Sequence, residues 1–81
     1  MTELMEKDIF KCIEETLELS SKQIDINSKM KEIEEWDSLG HLAILVALDK
    51  KFNGKISKID EMASADTVKK IINLLKLNKL I

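Results

Sequence analysis

Residues 34–39 read Glu34-Glu35-Trp36-Asp37-Ser38-Leu39 and lead directly into the uncharged stretch 38–48. Asp37 is a favourable N-cap, because its carboxylate can accept a hydrogen bond from the first turn of a helix. Apolar residues then recur on two adjacent stripes, which predicts a helix from Ser38 to Phe52. The Asn53-Gly54 pair is typical of a helix C-terminus. A helix this apolar needs neighbours on more than one side, so we expect it to be central to the fold.

Three further helices are predicted from apolar residues at helical spacing. The first runs from about Glu3 to Leu19, a short one from about Lys58 to Ala63, and the last from about Asp66 to Leu77, with Ser64 or Asp66 as its cap. Residues 20–37 lack this spacing and predict a long loop. Its apolar anchors are Ile24, Ile26, Met30 and Ile33. The predicted fold class is an all-α four-helix bundle, with three longer helices, one short helix and a long loop between helices 1 and 2.

Length and composition limit the class of protein. The chain has 81 residues, no proline and two glycines, which favours one helical domain spanning residues 1–81. A core this small is marginal, and a large catalytic cleft would remove apolar contacts from it. We therefore do not expect an enzyme.

Cysteine and histidine usage argues against a metal site. Cys12 is the single cysteine, it lies in the apolar stripe of the first helix, and we interpret it as a small buried side chain without chemistry. An unpaired cysteine and an acidic, amphipathic N-terminus favour a cytoplasmic protein. The longest uncharged run, residues 38–48, is too short for a membrane span.

The charge is distributed unevenly along the chain. Residues 1–37 carry 11 acids and 5 lysines, and residues 38–81 carry 4 acids and 8 lysines. The lysines of the second half are dispersed and no arginine is present, so solvated helix faces are a better interpretation than a nucleic-acid surface. We expect no nucleic-acid partner and no membrane partner.

The Asp37-Ser38-Leu39 triplet, at a loop-to-helix junction midway along a small helical chain, resembles the modification site of acyl carrier proteins. The order of the helices matches that family over essentially the whole chain, and the apolar ladder of residues 42–48 and the short 59–63 segment extend the match. The resemblance implies that a phosphopantetheinyl transferase attaches 4'-phosphopantetheine from coenzyme A to Ser38. It also implies that Asp37 helps the transferase to recognise the site. The thiol of the arm would hold acyl groups as thioesters and pass them between acyl-loading and acyl-transferring enzymes.

In the acyl carrier family, acyl chains can slip between the helices. By position, the resemblance makes five residues candidates to line such a pocket: Leu42, Val46, Ile59, Met62 and Ala63. The alternative is that these side chains form ordinary core.

Three residues near Ser38 are candidates for a partner surface. Trp36 belongs to a recognition surface or, as we favour, anchors the loop with its indole N–H bonded at the core edge. Gly40 allows close approach by an enzyme, or reflects tolerance near a helix end. His41 contacts the phosphate or a partner enzyme, or is an exposed side chain without a function. A catalytic Ser38–His41 dyad, as in a hydrolase, is disfavoured because no third group orients the imidazole.

The helix after Ser38 departs from the family pattern, because acids are missing from its early turns. Since charge matching governs partner choice, we expect a dedicated partner set in a specialised lipid, polyketide or acyl-transfer pathway. An aminoacyl or peptidyl carrier and an unmodified helical interaction module remain alternatives. We expect a monomer.

Overall fold

Three α-helices form the scaffold of the computed structural model, which describes residues 5–20 and 22–81. They are α1 (Glu6–Thr16), α2 (Ser38–Lys51) and α3 (Val68–Leu77), and α2 packs against α1 and the segments that precede α3. Three short 3₁₀ turns lie between them, at Met30–Glu32, Ile56–Lys58 and Asp60–Ser64. Extended pairing in the described residues is limited to one isolated antiparallel bridge, Lys29 with Thr67. The predicted all-α class is confirmed.

The count of four helices is not confirmed, since the short helix predicted at about 58–63 is a 3₁₀ turn at Asp60–Ser64. The prediction for the last helix also placed its cap too early. Thr67 is the N-cap of α3, and its Oγ1 accepts a hydrogen bond from the Lys70 amide at 3.1 Å. The bridge to Lys29 extends the backbone at Thr67, so α3 begins at Val68, two residues after the predicted start at Asp66.

The bounds of α1 are narrower than predicted. Residues 3 and 4 lie outside the described part of the chain. The helix ends at Thr16, because Glu18 adopts a left-handed conformation with φ of 58° and the Leu19 amide donates back to the Glu14 carbonyl at 2.8 Å.

The bounds of α2 agree with the sequence. Asp37 Oδ1 accepts from the Gly40 amide at 2.8 Å, which confirms the N-cap. At the other end Asn53 and Gly54 have φ of 56° and 82°, and the Gly54 amide donates to the Asp49 carbonyl. This is the C-terminal stop that the Asn-Gly pair predicted.

The core lies between the three helices and the loop. Its fully buried side chains are apolar and come from all three helices and from the connecting segments: Ile9 and Ile13 of α1, Ile44 and Leu48 of α2, Val68, Ile71, Ile72 and Leu75 of α3, with Trp36 and Met62 from the connecting segments. Burying side chains of this size contributes about 1.5–3 kcal/mol each before the entropy cost of ordering them. The core therefore fixes the position of α2, at whose start Ser38 lies.

The long loop is held at several points. Glu14 is buried, and its Oε2 accepts from the Ile24 amide at 2.9 Å. Farther along, the Met30 amide donates to the Asp66 carbonyl and the Val68 amide donates to the Ser28 carbonyl. The second of these bonds satisfies an amide that the start of α3 would otherwise leave without a partner. The loop therefore delivers residues 34–37 to α2 in a defined position.

Across the described ranges, the structure contains no helix with the length and apolar character that a membrane crossing requires.

Candidate functional site

Ser38 is the first residue of α2 and its side chain is exposed. In the first backbone hydrogen bond of the helix, the His41 amide donates to the Asp37 carbonyl at 2.8 Å. The Gly40 amide donates to the Asp37 carboxylate. The amides of Ser38 and Leu39 therefore precede the helical hydrogen-bond pattern and face the end of the helix. A helix N-terminus carries a partial positive charge and tolerates an anionic group attached there.

Ser38 borders a groove of about 280 Å³ between the start of α2 and the segment that leads into α3. Its other walls come from Met30, His41 and residues 63–66. Asp66 is the acid in this groove, and it forms an ion pair with Lys70 at 2.9 Å. Hydrogen bonding and attraction from the Lys70 ammonium lower the pKa of the Asp66 carboxyl. Lys70 also compensates part of the negative charge that Asp66 would otherwise direct towards a phosphate on Ser38.

A buried hydrogen-bonded chain joins Trp36, His41 and Met62 near the start of α2. Trp36 Nε1 donates to His41 Nδ1 at 3.0 Å, and His41 Nε2 lies 2.8 Å from the Met62 carbonyl oxygen. The indole N–H can only donate and the carbonyl can only accept, so these hydrogen bonds fit the tautomer that carries the ring proton on Nε2 and leaves Nδ1 as the acceptor. The two rings are nearly parallel, with centroids 6.0 Å apart and planes inclined by 22°. This chain connects the loop before Ser38, the first turn of α2 and the 3₁₀ turn before α3.

The prediction of Trp36 and His41 as partner-surface residues is wrong. Trp36 is 1% exposed and His41 is 6% exposed. The favoured alternative for Trp36, a loop anchor with a bonded indole N–H, is confirmed. His41 is buried because its ring satisfies that N–H and the Met62 carbonyl, and burying these polar groups without partners would be costly. With both nitrogens occupied, neither is free to take a proton from Ser38.

At Gly40 the space that a side chain would need is filled by other parts of the fold, and close approach by an enzyme stays a prediction. A Cβ at this position would lie 2.5 Å from the Glu35 carbonyl oxygen, 2.9 Å from Leu17 Cδ2 and 3.3 Å from Asp37 Oδ1. Glycine is therefore required so that the loop before α2 and the end of α1 can pack against its first turn.

The five candidate pocket residues are not brought together around one cavity. Met62 and Ile59 are buried in the core, and Leu42 and Val46 are 59% and 50% exposed on the opposite side of α2. Ala63 is exposed and borders the groove beside Ser38. The prediction of a shared acyl pocket fails because residues 42 and 46 lie on the solvent-exposed side of α2, opposite the buried stripe of His41, Ile44 and Leu48.

A second groove, of about 690 Å³, lies between α1 and α2. Leu39, Leu42, Ala43 and Val46 line its α2 side, while Cys12, Glu15 and Thr16 contribute from α1 and Lys50 and Lys51 lie at one end. Burial raises the pKa of the Cys12 thiol, so the thiol is mainly protonated at neutral pH and weakly nucleophilic.

The described residues contain no group of three or more histidine, cysteine, aspartate or glutamate side chains arranged to hold a metal ion. Comparison with protein-family models, with curated proteins and with solved structures found no match to this chain.

Sequence reasoning missed the Trp36–His41–Met62 chain and the carboxylate bond from Glu14 to the loop. A usable signal existed for the first: the chain's only tryptophan and only histidine lie five residues apart across a helix start. No pattern in the sequence indicates that Glu14 turns inwards, since its partner is a backbone amide ten residues away.

Proposed function

We propose that this protein is a discrete acyl carrier protein in which Ser38 bears 4'-phosphopantetheine. The observation that carries the proposal is the exposed Ser38 hydroxyl at the first position of α2, directly after a capping aspartate. The all-helical fold and the anchored loop before the serine agree with the resemblance of the sequence to that family. Both nitrogens of His41 are engaged in hydrogen bonds, so the exposed hydroxyl suits modification by a separate enzyme, which supplies the activation.

In the proposed modification, Ser38 Oγ attacks the phosphorus atom that bears the pantetheine arm in coenzyme A. A new phosphoester bond forms, the phosphoanhydride bond breaks, adenosine 3',5'-bisphosphate leaves, and the hydroxyl proton passes to a base of the transferase. The arm then holds an acyl group as a thioester. The exposed position of Ser38 leaves room for the arm to move between partner enzymes, in keeping with a specialised lipid, polyketide or acyl-transfer pathway.

The test is intact mass spectrometry after incubation with coenzyme A and a broad-specificity phosphopantetheinyl transferase. We expect the wild-type protein to gain the mass of one phosphopantetheine group and Ser38→Ala to gain none. Ser64→Ala is the matched control, because Ser64 is exposed and borders the same groove; it should be modified like the wild type. An unmodified wild-type protein would contradict the proposal.

One observation favours a second candidate, a helical interaction module without covalent modification. Leu39, Leu42 and Val46 are exposed on one face of α2, and an apolar helix face of this kind can bind a partner helix. Such a module predicts partner binding with no mass gain at Ser38. An aminoacyl or peptidyl carrier predicts the same mass gain as an acyl carrier, and loading with aminoacyl and acyl donors separates the two.

A further inference from the structure

The outer face of α2 is apolar over about three turns. Leu39 is 78% exposed, Leu42 is 59% exposed and Val46 is 50% exposed, and Ala43 lies exposed between them. Positions 39, 42, 43 and 46 share one side of a helix. These four residues, together with Lys50, are called the outer face below. Three large apolar side chains left in water on so small a domain indicate a surface that is covered by another molecule during function.

The charge at the C-terminal end of the outer face is positive. Lys50 and Lys51 are both exposed and line the end of the groove between α1 and α2. Asp49 does not compensate them there, because its Oδ1 accepts from the Ser57 amide at 3.0 Å and is turned towards the 3₁₀ segment. In the part of the chain that the structure describes, the ion pairs are Lys70–Asp66 and Lys76–Glu6, so both lysines are available to a partner.

The opposite wall of the groove carries one acid. Glu15 of α1 lines the groove with Thr16 and Cys12. The groove therefore has an apolar floor, one carboxylate on its α1 side, and two ammonium groups at the end where α2 finishes. A ligand that fits this pattern is apolar along its length and places carboxylates at the lysine end.

The size of the outer face favours a transient partner over a second copy of the chain. Its large exposed apolar side chains are Leu39, Leu42 and Val46, far fewer than the roughly 20–30 residues that each partner contributes to a typical stable interface. From Leu39 to Lys50 the face is about 16 Å long at the rise of an α-helix, which accommodates about three turns of a partner helix.

We propose that the outer face binds an amphipathic helix of a partner protein, whose apolar stripe covers Leu39, Leu42 and Val46 and whose acidic side chains meet Lys50 and Lys51. Ser38 immediately precedes Leu39, so a partner bound to the outer face would lie next to the attached arm. That this partner is an enzyme acting on a tethered acyl group rests on the proposed function. The charge preference is that of an acidic partner, since Lys50 and Lys51 supply two ammonium groups at this end of the groove and Glu15 supplies one carboxylate on the α1 side.

The test uses two synthetic helical peptides with the same leucine and alanine stripe, one with glutamates beside it and the other with lysines. Binding is measured by titration into the isotope-labelled protein, with amide chemical shifts as the readout. We expect the glutamate peptide to bind about fivefold more tightly than the lysine peptide, with shifts at Leu39, Leu42, Ala43 and Val46. Lys50→Glu combined with Lys51→Glu should reverse the preference, and added salt should reduce it.

The apolar contribution is tested with Leu42→Ser combined with Val46→Ser. Both side chains are at least half exposed, so the fold should be retained, and circular dichroism checks this. We expect binding of both peptides to weaken at least about tenfold. Leu77→Ser is the matched control, because Leu77 is 77% exposed on α3; it should bind like the wild type.

Three outcomes would overturn the inference: equal affinity for the two peptides, unchanged binding by the double serine variant, or wild-type dimerisation in sedimentation that Leu42→Ser abolishes. The last would assign the outer face to a second copy. The peptides require no modification of Ser38, so the two proposals fail separately. A mass gain without peptide binding would support the carrier function and contradict the docking surface. Peptide binding without a mass gain would support the docking surface and contradict the carrier function.

Discussion

Trp36 and His41 are joined by a buried hydrogen bond of 3.0 Å from indole Nε1 to imidazole Nδ1. Trp36→Phe removes the donor and leaves a buried acceptor without a partner, so we expect it to lower the free energy of unfolding by about 1–3 kcal/mol. Urea denaturation followed by far-ultraviolet circular dichroism measures this change. A double-mutant cycle with His41→Leu separates the bond from the loss of indole volume, and strictly additive effects would show that the two rings are not coupled.

The same geometry predicts the tautomer of His41. The Trp36 N–H points at Nδ1 and the Met62 carbonyl lies 2.8 Å from Nε2, so the ring proton belongs on Nε2. Long-range proton–nitrogen correlation spectra at neutral pH should show an unprotonated Nδ1 and a protonated Nε2. The opposite assignment, or averaging of the two nitrogens, would contradict the hydrogen-bonded chain.

Gly40→Ala should destabilise the protein although alanine is the better helix former. The added Cβ would meet the Glu35 carbonyl oxygen at 2.5 Å, and the backbone of the loop must move to relieve this contact. Overpacking should cost about 1–3 kcal/mol and helix propensity should offset about 1 kcal/mol of this, so we expect a net loss of up to about 2 kcal/mol. Ala43→Gly, at an exposed position of the same helix, is the control and should cost only about 1 kcal/mol. A stabilised Gly40→Ala variant would be incompatible with the packing described.

Asp37 combines two roles that a pair of substitutions can separate. Asp37→Ala loses the bond to the Gly40 amide and should cost about 0.5–2 kcal/mol of stability, whereas Asp37→Asn keeps an acceptor and should cost less. If the carboxylate also guides the transferase, Asp37→Asn should retain stability yet be modified more slowly at Ser38. Thr67→Ala, which removes the equivalent cap of α3, controls for capping alone. Equal modification rates for Asp37→Asn and wild type would limit Asp37 to its structural role.

Cys12 provides a prediction about pH. Burial raises the pKa of its thiol, so the folded state holds the proton more tightly than the unfolded state. The sign follows directly: this contribution to stability is complete below the thiol pKa of the unfolded chain, about 8.5, and is lost as pH rises through the higher pKa of the folded state. Cys12→Ala should therefore lose less stability than the wild type as pH rises above about 8.5. Alkylation of Cys12 at pH 8 should be slow and should accelerate in denaturant.

The sequence predicted α2 almost to the residue, because its signals are local: an aspartate cap, a continuous apolar pattern and an Asn-Gly stop. It also identified Ile24 as a loop anchor, and that side chain is buried. The position of Ser38 followed from the same cap. These features depend on neighbours in the chain, which a single sequence displays.

The remaining errors concern contacts between distant segments. The cap of α3 could not be assigned because Thr67 is selected by its bridge to Lys29, 38 residues earlier. The outer positions of Leu42 and Val46 could not be predicted because both stripes of α2 are apolar, so periodicity does not tell which one faces the core. His41 was placed on the surface because a histidine alone does not reveal that a tryptophan N–H and a carbonyl will occupy both its nitrogens.

The burial of Trp36 has a practical consequence. It is the chain's only tryptophan, so all indole fluorescence originates two residues from Ser38, next to an imidazole ring. Emission excited at long wavelength would therefore report on the attachment region without any added label. A change in its intensity during modification of Ser38 would show that the packing around Trp36 and His41 changes. A constant intensity would show that this packing is retained when the arm is attached.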